Sequence, residues 1–440
     1  MTALAGLPGL RAFRSPSFRM VCAAIFLAGS LGGFAINAAG AFGNYSGQAD
    51  FHTLMQATER FWAGRPTYLV PPAGAPDRFL TGPSAQPYPP STFLLLRPWV
   101  ALPDGPRRAT WLLLGLAAVG GLIAAVYAGI GRPTRTEGMV GVALVLLFLP
   151  VRETIFEGQF GAILALLAVA AALAWERGRD GLAGALLALA ITIKLTPAVL
   201  LAYLVWRRRW RTVAWTLGWL AGVLLLTLAL GWLPRWLDYV RLMGPIGRGT
   251  AFVGNQSLPG VILRLLRPDL SGQPIPPPPP AITLLSGAAE VAVVAGLALA
   301  LRRGWRADLA AAGTDRLRRW TELGLVLLVL PLLQPFAWFH HWAGAAVLIL
   351  VAGRLARVGR LRPGPAAGLA AAYLLSLATY PTYRLVRSVT GPELAADPLA
   401  MALSLVFFLA VAVAAVAGAA ALGDLAGGGD RPGRRRESPA

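Results

Sequence analysis

The stretch WTLGWLAGVLLLTLAL, residues 215–230, contains no charged residue and decides the fold class. A second uncharged stretch, LAMALSLVFFLAVAVAAVAGAAAL, occupies residues 399–422. A helix needs roughly 20 apolar residues to cross a bilayer, and these runs lack the alternation of a membrane β-strand. Only helices and closed barrels satisfy their backbone hydrogen bonds in lipid. The sequence therefore predicts an all-α polytopic membrane protein.

The composition excludes an ordinary soluble domain and argues against a nucleic-acid partner. Of the 440 residues, 56% are hydrophobic and 14% are charged, whereas soluble domains average about 25% charged residues. The formal net charge of +20 comes from arginines in short clusters between the apolar runs. Such clusters are typical of topology signals and of attraction to anionic lipid. The predicted partner of the basic residues is the lipid bilayer.

Placing the arginine clusters on one side of the membrane predicts a single integral membrane domain, 1–440, of about twelve helices. Residues 1–19 form a cytoplasmic N-terminus and 423–440 a cytoplasmic basic tail. The polar segments 42–106 and 233–280 form the first and second outer loops. The first span is too long for a signal-peptide core and is predicted to remain as an anchor. The spans are predicted at about 20–41, 109–130, 138–150, 160–175, 181–206, 212–232, 281–301, 321–334, 342–353, 364–380 and 398–422.

Three segments receive a more specific interpretation. Segment 91–100 is apolar but short, so we expect an interfacial helix that lines a lipid entrance. Segment 181–206 is predicted to form two short helices that meet near Lys194–Pro197, because a single span would place residues 207–211 outside. The proline run Pro276–Pro280 is predicted to be an extended spacer.

Polar side chains gather on the outer side of the predicted topology. Charged and polar groups near lipid are costly, so those present are functional candidates. Each has an ordinary explanation by itself: Asp50 could cap a helix, and a histidine pair could anchor at the interface. Their joint location on one face is the stronger evidence. The candidates are Asp50, Arg152, Gln159, Lys194, Asn255, Gln256, His340 and His341.

A lone carboxylate at the outer surface suits one chemistry well. Asp50 can act as a general base that takes the proton of a sugar hydroxyl as this hydroxyl attacks an activated carbon. The leaving group would be a lipid phosphate, which cationic side chains stabilise. Lys194, Arg152, His340 and His341 are the available groups. The first loop holds no Asp-x-Asp motif, and the sequence predicts no metal and no other cofactor.

At these residues the sequence resembles glycosyltransferase family 87, whose members are membrane enzymes with the GT-C fold. The family includes polyprenyl-phosphate-mannose-dependent alpha-1,2-mannosyltransferases. The resemblance lies in an ordered series of motifs spread over residues of about 45 to 345. The motifs are Asp50-Phe51 with Gly64-Arg65-Pro66-Thr67-Tyr68, Tyr88-Pro89-Pro90, Gly158-Gln159, Ile193-Lys194-Leu195-Thr196-Pro197, Trp206-Arg207-Arg208-Arg209-Trp210, Asn255-Gln256-Ser257 and Trp338-Phe339-His340-His341.

The resemblance implies a GT-C-like bundle and an inverting transfer of a hexose, with mannose the expected sugar. The donor would be a polyprenyl-phosphate sugar and the acceptor a glycolipid or glycan. The active site would lie on the extracytoplasmic face of the plasma (inner) membrane, with Asp50 as catalytic base. The implied donor-binding residues are Lys194, His340, His341, Arg152 and Gln159, and the implied acceptor or loop contacts are Tyr88, Asn255 and Gln256.

A second function remains open at this stage. A lipid or solute transporter, or flippase, would also be a polytopic helical protein. Such a protein needs ionisable residues in the middle of the membrane and a path between its two faces. The predicted positions of the polar residues at one face favour the enzyme. The acceptor, the linkage and the oligomeric state are left open by the sequence.

Overall fold

A computed structural model describes residues 15–43, 47–70, 86–247, 249–270, 278–310, 316–390 and 398–427. The described chain is a bundle of helices, which confirms the predicted all-α class. The helices, numbered along the chain, are α1 (Pro16–Gly43), α2 (Ala49–Trp62), α3 (Pro90–Val100), α4 (Asp104–Ile130), α5 (Arg135–Leu147), α6 (Leu149–Glu157), α7 (Gly161–Glu176), α8 (Asp180–Ile193), α9 (Val199–Trp206), α10 (Trp210–Ala229), α11 (Leu233–Ile246), α12 (Leu258–Leu266), α13 (Pro280–Ala310), α14 (Arg316–Val329), α15 (Ala346–Arg357), α16 (Pro363–Thr390), α17 (Pro398–Ser404) and α18 (Val406–Gly427).

Several of these helices are long and apolar enough to cross a bilayer. Among the described residues six helices qualify by length and composition, and a seventh span is formed if the bent pair α5–α6 is one crossing. The chain is therefore a multi-pass membrane protein. Other predicted spans are present as shorter apolar helices, such as α7 and α8. The count of about twelve spans stays a prediction.

The third predicted span differs from the structure at its outer end. The spans predicted at about 138–150 and 160–175 leave residues 152–159 outside the membrane, but α5 bends by 56° into α6, which continues to Glu157. Phe148 has an extended backbone, and Pro150 stands near the start of α6. Proline lacks an N–H group and is tolerated in a first helical turn, so the bend restarts the helix rather than ending it. Residues 152–157 are thus held on a rigid element.

The prediction of two short helices over 181–206 is confirmed. Helix α8 ends at Ile193, and Lys194 has an extended backbone with φ −151° and ψ 136°. A short 3₁₀ turn, Thr196–Ala198, then leads into α9. Pro197 lies inside this turn, where its missing N–H costs no α-helical hydrogen bond. Lys194 is therefore at the corner of a helical hairpin.

Both ends of the α8–α9 hairpin lie at one end of the bundle. At the start of α10, Thr212 Oγ1 donates to Asp180 Oδ1 at the start of α8, over 2.6 Å. At the end of α9, Arg207 forms an ion pair of 3.7 Å with the fully buried Glu322 of α14. The 14 residues of α8 span roughly 21 Å at the usual helical rise. Lys194 therefore lies far from the arginine-rich end.

The helix expected at 91–100 is present as α3, and it packs against α2. Helix α2 buries residues at helical spacing, including Phe51, Leu54 and Phe61, as expected for an amphipathic helix. Phe61 stacks on Phe93 of α3, with ring centroids 4.7 Å apart, and meets Trp232 edge-on. This aromatic cluster attaches the first predicted outer loop to the bundle.

The second predicted outer loop contains two helices, α11 and α12, rather than a long irregular segment. Helix α11 leaves Leu233, Leu237 and Val240 exposed along one face, which is the pattern of an interfacial helix. Of the proline run Pro276–Pro280, residues 276 and 277 lie outside the described residues, and Pro280 begins α13. Most of the two predicted cytoplasmic termini, 1–14 and 428–440, also lies outside them.

The α8–α9 hairpin predicts that its two ends react with an impermeant thiol reagent from one side of the membrane and its corner from the other side. Cys22 is the only cysteine, so single cysteines can be introduced after Cys22→Ser. We expect Arg179→Cys and Arg209→Cys to react from the same side of the membrane and Leu195→Cys to react from the opposite side. All three positions are exposed. Reaction of positions 179 and 209 from opposite sides would instead require one continuous span.

Candidate active site

Asp50 lies in the first turn of α2, and several contacts fix the start of this helix. Gln48 precedes the helix with φ 56° and donates its backbone N–H to the carbonyl of Phe156, over 2.6 Å. Phe51 stacks on Trp111 of α4 with ring centroids 4.5 Å apart. The N-terminus of α2, which favours a negative charge, is thus attached to the end of α6.

A hydrogen-bonded chain joins Asp50 to Tyr88. Gln159 Nε2 donates to Asp50 Oδ2 over 2.7 Å. Its amide oxygen accepts from the hydroxyl of Tyr88 over 3.1 Å. Tyr68 in turn donates its hydroxyl to the backbone carbonyl of Tyr88 over 2.8 Å. Both groups of the Gln159 carboxamide are used, so its orientation and that of the carboxylate are fixed.

The surroundings of Asp50 favour a stronger base than an exposed carboxylate. Burial raises the pKa of the Asp50 carboxyl above its usual value, while the Gln159 hydrogen bond and the charge of Lys194 lower it. Burial disfavours the ionised form, and a donor or a positive charge stabilises it. The net rise in pKa strengthens the affinity of the carboxylate for a proton, which a general base requires.

Lys194 owes its position to hydrogen bonds from α3. The last carbonyl groups of a helix have no partner inside the helix. At the end of α8 the carbonyl of Thr192 accepts from Ser91 Oγ over 3.0 Å, and that of Ile193 accepts from Thr92 Oγ1 over 2.8 Å. Helix α3 therefore fixes the corner at which Lys194 stands.

Lys194 and His341 face each other directly. The distance from Lys194 Nζ to His341 Nε2 is 2.6 Å, and the ammonium lies 5.6 Å from the ring centre of Tyr88. The backbone N–H of Trp338 donates to His341 Nδ1 over 2.8 Å. The Trp338 carbonyl lies 3.2 Å from the same Nδ1 atom, so the Trp338 backbone holds this side of the ring. A cation and an imidazole thus meet at one place, which suits an anionic ligand such as a phosphate.

His340 supplies a second imidazole beside the first. It is 4% exposed, and its Nε2 atom has no hydrogen-bond partner. The two histidine rings have centroids 4.5 Å apart. A cavity of about 60 Å³ adjoins these groups. Its polar wall is formed by Gln159, Lys194, Gln334, His340 and His341, and its apolar wall includes Leu164, Ala168, Leu200, Leu327 and Leu330.

Two glycines allow these segments to approach one another. Gly158, which has φ 68°, accepts a hydrogen bond of 2.8 Å from the Trp111 indole, and a Cβ atom there would lie 2.6 Å from Phe51 Cβ. A Cβ atom on Gly161 would lie 2.5 Å from the backbone oxygen of His340. The turn between α6 and α7 therefore permits α2 on one side and the histidine segment on the other.

Arg152, Asn255 and Gln256 have different surroundings from the other candidates. Arg152 lies on α6, where its charge acts on Glu153; within the described parts of the chain, no contact joins it to Lys194 or to either histidine. Asn255 and Gln256 are fully buried and bind neighbouring loops rather than facing the cavity. Their predicted roles toward donor and acceptor stay predictions.

Two carboxylates near Asp50 were missed by the sequence reasoning. Glu153 and Glu157 are half-buried on α6, and the charge of Asp50 acts on both. Their spacing of four residues places them on one face of a helix. The spacing is visible in the sequence, but it places the two carboxylates on one face only if residues 152–157 form a helix.

The fold and this site define a multi-pass helical membrane protein in which Lys194 and two histidines line one small cavity, and Gln159 in the cavity wall donates to the Asp50 carboxylate. Residues 87–331 match glycosyltransferase family 87, and the chain belongs to this family. The matched region contains Tyr88, Gln159 and Lys194. Asp50 and the histidine pair lie outside it.

Curated mycobacterial proteins are similar over part of the chain. A polyprenol-phosphate-mannose-dependent alpha-(1-2)-phosphatidylinositol pentamannoside mannosyltransferase of Mycolicibacterium smegmatis is 32% identical over 272 residues, 60% of each chain. The protein of that name from Mycobacterium tuberculosis is 31% identical over 271 residues, 60% of this chain and 57% of its own. A polyprenol-phosphate-mannose-dependent alpha-(1-2)-phosphatidylinositol mannoside mannosyltransferase of M. smegmatis is 31% identical over 234 residues, 51% and 48% respectively. The chain thus matches 60% or less of each relative's length.

Replacement of Gly158 tests the close approach of α2 to the α6–α7 turn. We expect Gly158→Ala to lower the melting temperature in detergent and to weaken any Asp50-dependent activity, because the new methyl group would displace Phe51. Gly178→Ala is the matched control: Gly178 has φ 70°, but no atom lies near its added Cβ. That control should show only the backbone cost of about 1 kcal/mol. Equal effects of the two changes would contradict the close-contact argument.

Proposed function

We propose that this protein is a hexosyltransferase that moves mannose from a polyprenyl-phosphate donor to a glycolipid or glycan acceptor, with inversion at the transferred carbon. Family membership and the names of its relatives support sugar transfer from such a donor. The acceptor is of the phosphatidylinositol mannoside type, in keeping with the same names. The reaction takes place at the extracytoplasmic face of the plasma membrane, within the single membrane domain.

One observation carries the proposal: an unbroken series of contacts runs from Asp50 through Gln159 and Tyr88 to Lys194 and His341. A base and a phosphate-binding group must both be near the reacting carbon in a single displacement. The series brings a carboxylate and a cation–imidazole pair to one site. A transporter would not require this pairing of a proton acceptor with anion-binding groups.

In the proposed step, an acceptor hydroxyl attacks the anomeric carbon of the donor sugar. A new carbon–oxygen bond forms to the acceptor while the bond between that carbon and the phosphate oxygen breaks. Asp50 takes the hydroxyl proton as the attack proceeds. The bonding electrons leave with the phosphate, which departs as a polyprenyl phosphate. Proton and charge are thereby balanced without a metal or another cofactor.

The departing phosphate gains one negative charge, and the opposite side of the site stabilises it. Lys194 contributes positive charge, and His340 and His341 contribute N–H groups. Donors fixed in a partly dry cavity stabilise developing charge more effectively than water does. The unpartnered Nε2 of His340 supports this role, since a buried polar atom ordinarily has a partner. Arg152, on α6, contributes its positive charge to the phosphate from a longer distance.

The replacement Asp50→Asn tests the assignment of the base. The amide is nearly isosteric but cannot accept the proton, so we expect mannosyl transfer to fall by about 10²–10⁴-fold. Purified protein, polyprenyl-phosphate mannose and a phosphatidylinositol mannoside acceptor provide the assay. Asp104→Asn, at an exposed site in the first turn of α4, should keep wild-type activity. Full activity of Asp50→Asn would overturn the base assignment.

The hydrogen bond from Gln159 predicts a shift in the pH profile. This bond lowers the pKa of Asp50, so Gln159→Leu should raise it. Because the base is active only when ionised, the acid limb of the kcat/KM profile should move to higher pH. Asp104→Asn should leave the limb unchanged. A limb that stays in place, or moves to lower pH, would separate Asp50 from the titration that controls activity.

A further inference from the structure

The segment that leads to the two histidines lacks regular secondary structure. It runs from Gln334 to Trp338, between two 3₁₀ turns. Its backbone groups cannot be satisfied by a helix, so they need partners elsewhere when they are buried. Ala337 is fully buried and Gln334 nearly so. The partners come from a distant loop: Gln256 donates its backbone N–H to the carbonyl of Ala337 over 2.8 Å, Ser257 donates its hydroxyl to that of Pro335 over 3.2 Å, and the side chain of Asn255 makes the remaining contacts.

The side chain of Asn255 bridges this segment with both ends of its carboxamide. Its nitrogen donates to the carbonyl of Pro335 over 3.0 Å and to that of Thr250 over 2.9 Å. Its oxygen accepts from the backbone N–H of Ala337 over 2.9 Å and from that of Ser257 over 3.2 Å. Only a carboxamide offers two donors and an acceptor at this spacing. Neither a carboxylate nor an apolar side chain reproduces the bridge.

The bridge is enclosed on its other sides. Arg264 Nη1 donates to the backbone oxygen of Asn255 over 2.9 Å and to that of Phe252 over 3.0 Å. A Cβ atom on Gly260 would lie 2.2 Å from Asn255 Nδ2. Asn255 is 0% exposed, so in this structure it contacts protein rather than an acceptor. The loop and the histidine segment are consequently held as one unit.

A short path leads from the bridge to Lys194 and His341. Ala337 is bound by Asn255, and the next residue, Trp338, donates its N–H to His341 Nδ1 over 2.8 Å. This hydrogen bond directs His341 Nε2 to Lys194, 2.6 Å away. A displacement of the Pro335–Ala337 backbone would move the N–H group that orients the imidazole. The hydrogen bond made by one ring nitrogen often decides the orientation of the other nitrogen in a functional histidine.

We propose that Asn255 is a positioning residue: its carboxamide holds the Pro335–Ala337 backbone in place and thereby keeps His341 against Lys194. The consequence for catalysis rests on the proposed function, whereas the positioning itself does not. The second predicted outer loop thus sets the geometry of the anion-binding pair without touching the substrate. This role differs from the acceptor contact expected of Asn255 from the sequence.

The first test uses Lys194, the only lysine in the chain, and needs no substrate. An amine-directed acylating reagent modifies this side chain, and peptide mass spectrometry separates it from the N-terminal amine. His341 covers the Lys194 nitrogen, so His341→Ala should raise the rate of modification. We expect Asn255→Ala to raise the rate of Lys194 modification to a similar extent. The increase should be about tenfold, because the loss of one hydrogen bond changes an equilibrium by about that factor.

Gln256→Ala is the matched control for this labelling. Gln256 is equally buried, but its side-chain nitrogen donates to Val253 and Ser404 rather than to the histidine segment. We expect its Lys194 labelling rate to stay near that of the wild type. If His341→Ala raises the rate and Asn255→Ala does not, the positioning role is wrong whatever reaction the protein catalyses. Equal increases for Asn255→Ala and Gln256→Ala would also overturn it, since general loosening would explain both.

The second test separates donor binding from other losses. We expect Asn255→Ala to raise the KM for polyprenyl-phosphate mannose more than the KM for the acceptor. If this variant does not fold, Asn255→Asp keeps the acceptor for Ala337 and loses the donors to Pro335 and Thr250, so a change of the same kind is expected. A rise confined to the acceptor KM would overturn the proposal. Absence of transferase activity in the wild type would overturn the proposed function and leave the labelling result standing.

Discussion

The hydrogen bond from Gln159 to Asp50 joins parts of the chain that are 109 residues apart, and the rest of the site is arranged around it. The carboxylate is partly removed from water, which raises its pKa, and the amide donor offsets part of this effect. The bond requires α2 to pack closely against the α6–α7 turn, which is possible because Gly158 has no Cβ atom to meet Phe51. Tyr88 then fixes the other end of the amide. The base, its donor and their supporting tyrosine form one unit.

A second constraint acts at the corner between α8 and α9. Breaking a helix in apolar surroundings leaves carbonyl groups without partners, which is costly unless other groups bind them. Ser91 and Thr92 of α3 donate to these carbonyls. The same contact sets Lys194 opposite His341. The contact with α3 therefore both satisfies the backbone carbonyls and sets the position of Lys194. Helix α3 contributes to the site without lining the cavity itself.

The sequence was most informative where a single local property determined the outcome. Apolar runs required membrane helices, and the arginines after Trp206 required the chain to return within 181–206, as the structure confirms. The arginine positions do not predict that residues 152–157 continue as α6, because the helix resumes in a new direction after the bend at Phe148. They also do not predict α11 and α12, since short amphipathic helices lack the long apolar runs that identify a span.

Composition and the order of motifs determined the membrane class, the family resemblance and the set of residues from which the site is built. Tertiary structure alone decided how these residues pair. Nothing in the sequence assigns Gln159 to Asp50, or Asn255 to the backbone before the histidines, because such hydrogen bonds require the distance between donor and acceptor to be correct to within a few tenths of an ångström. The apolar character of a side chain is a property of each residue and can be read from the sequence. Hydrogen bonding between side chains depends on the relative placement of whole helices, and only folding sets that placement.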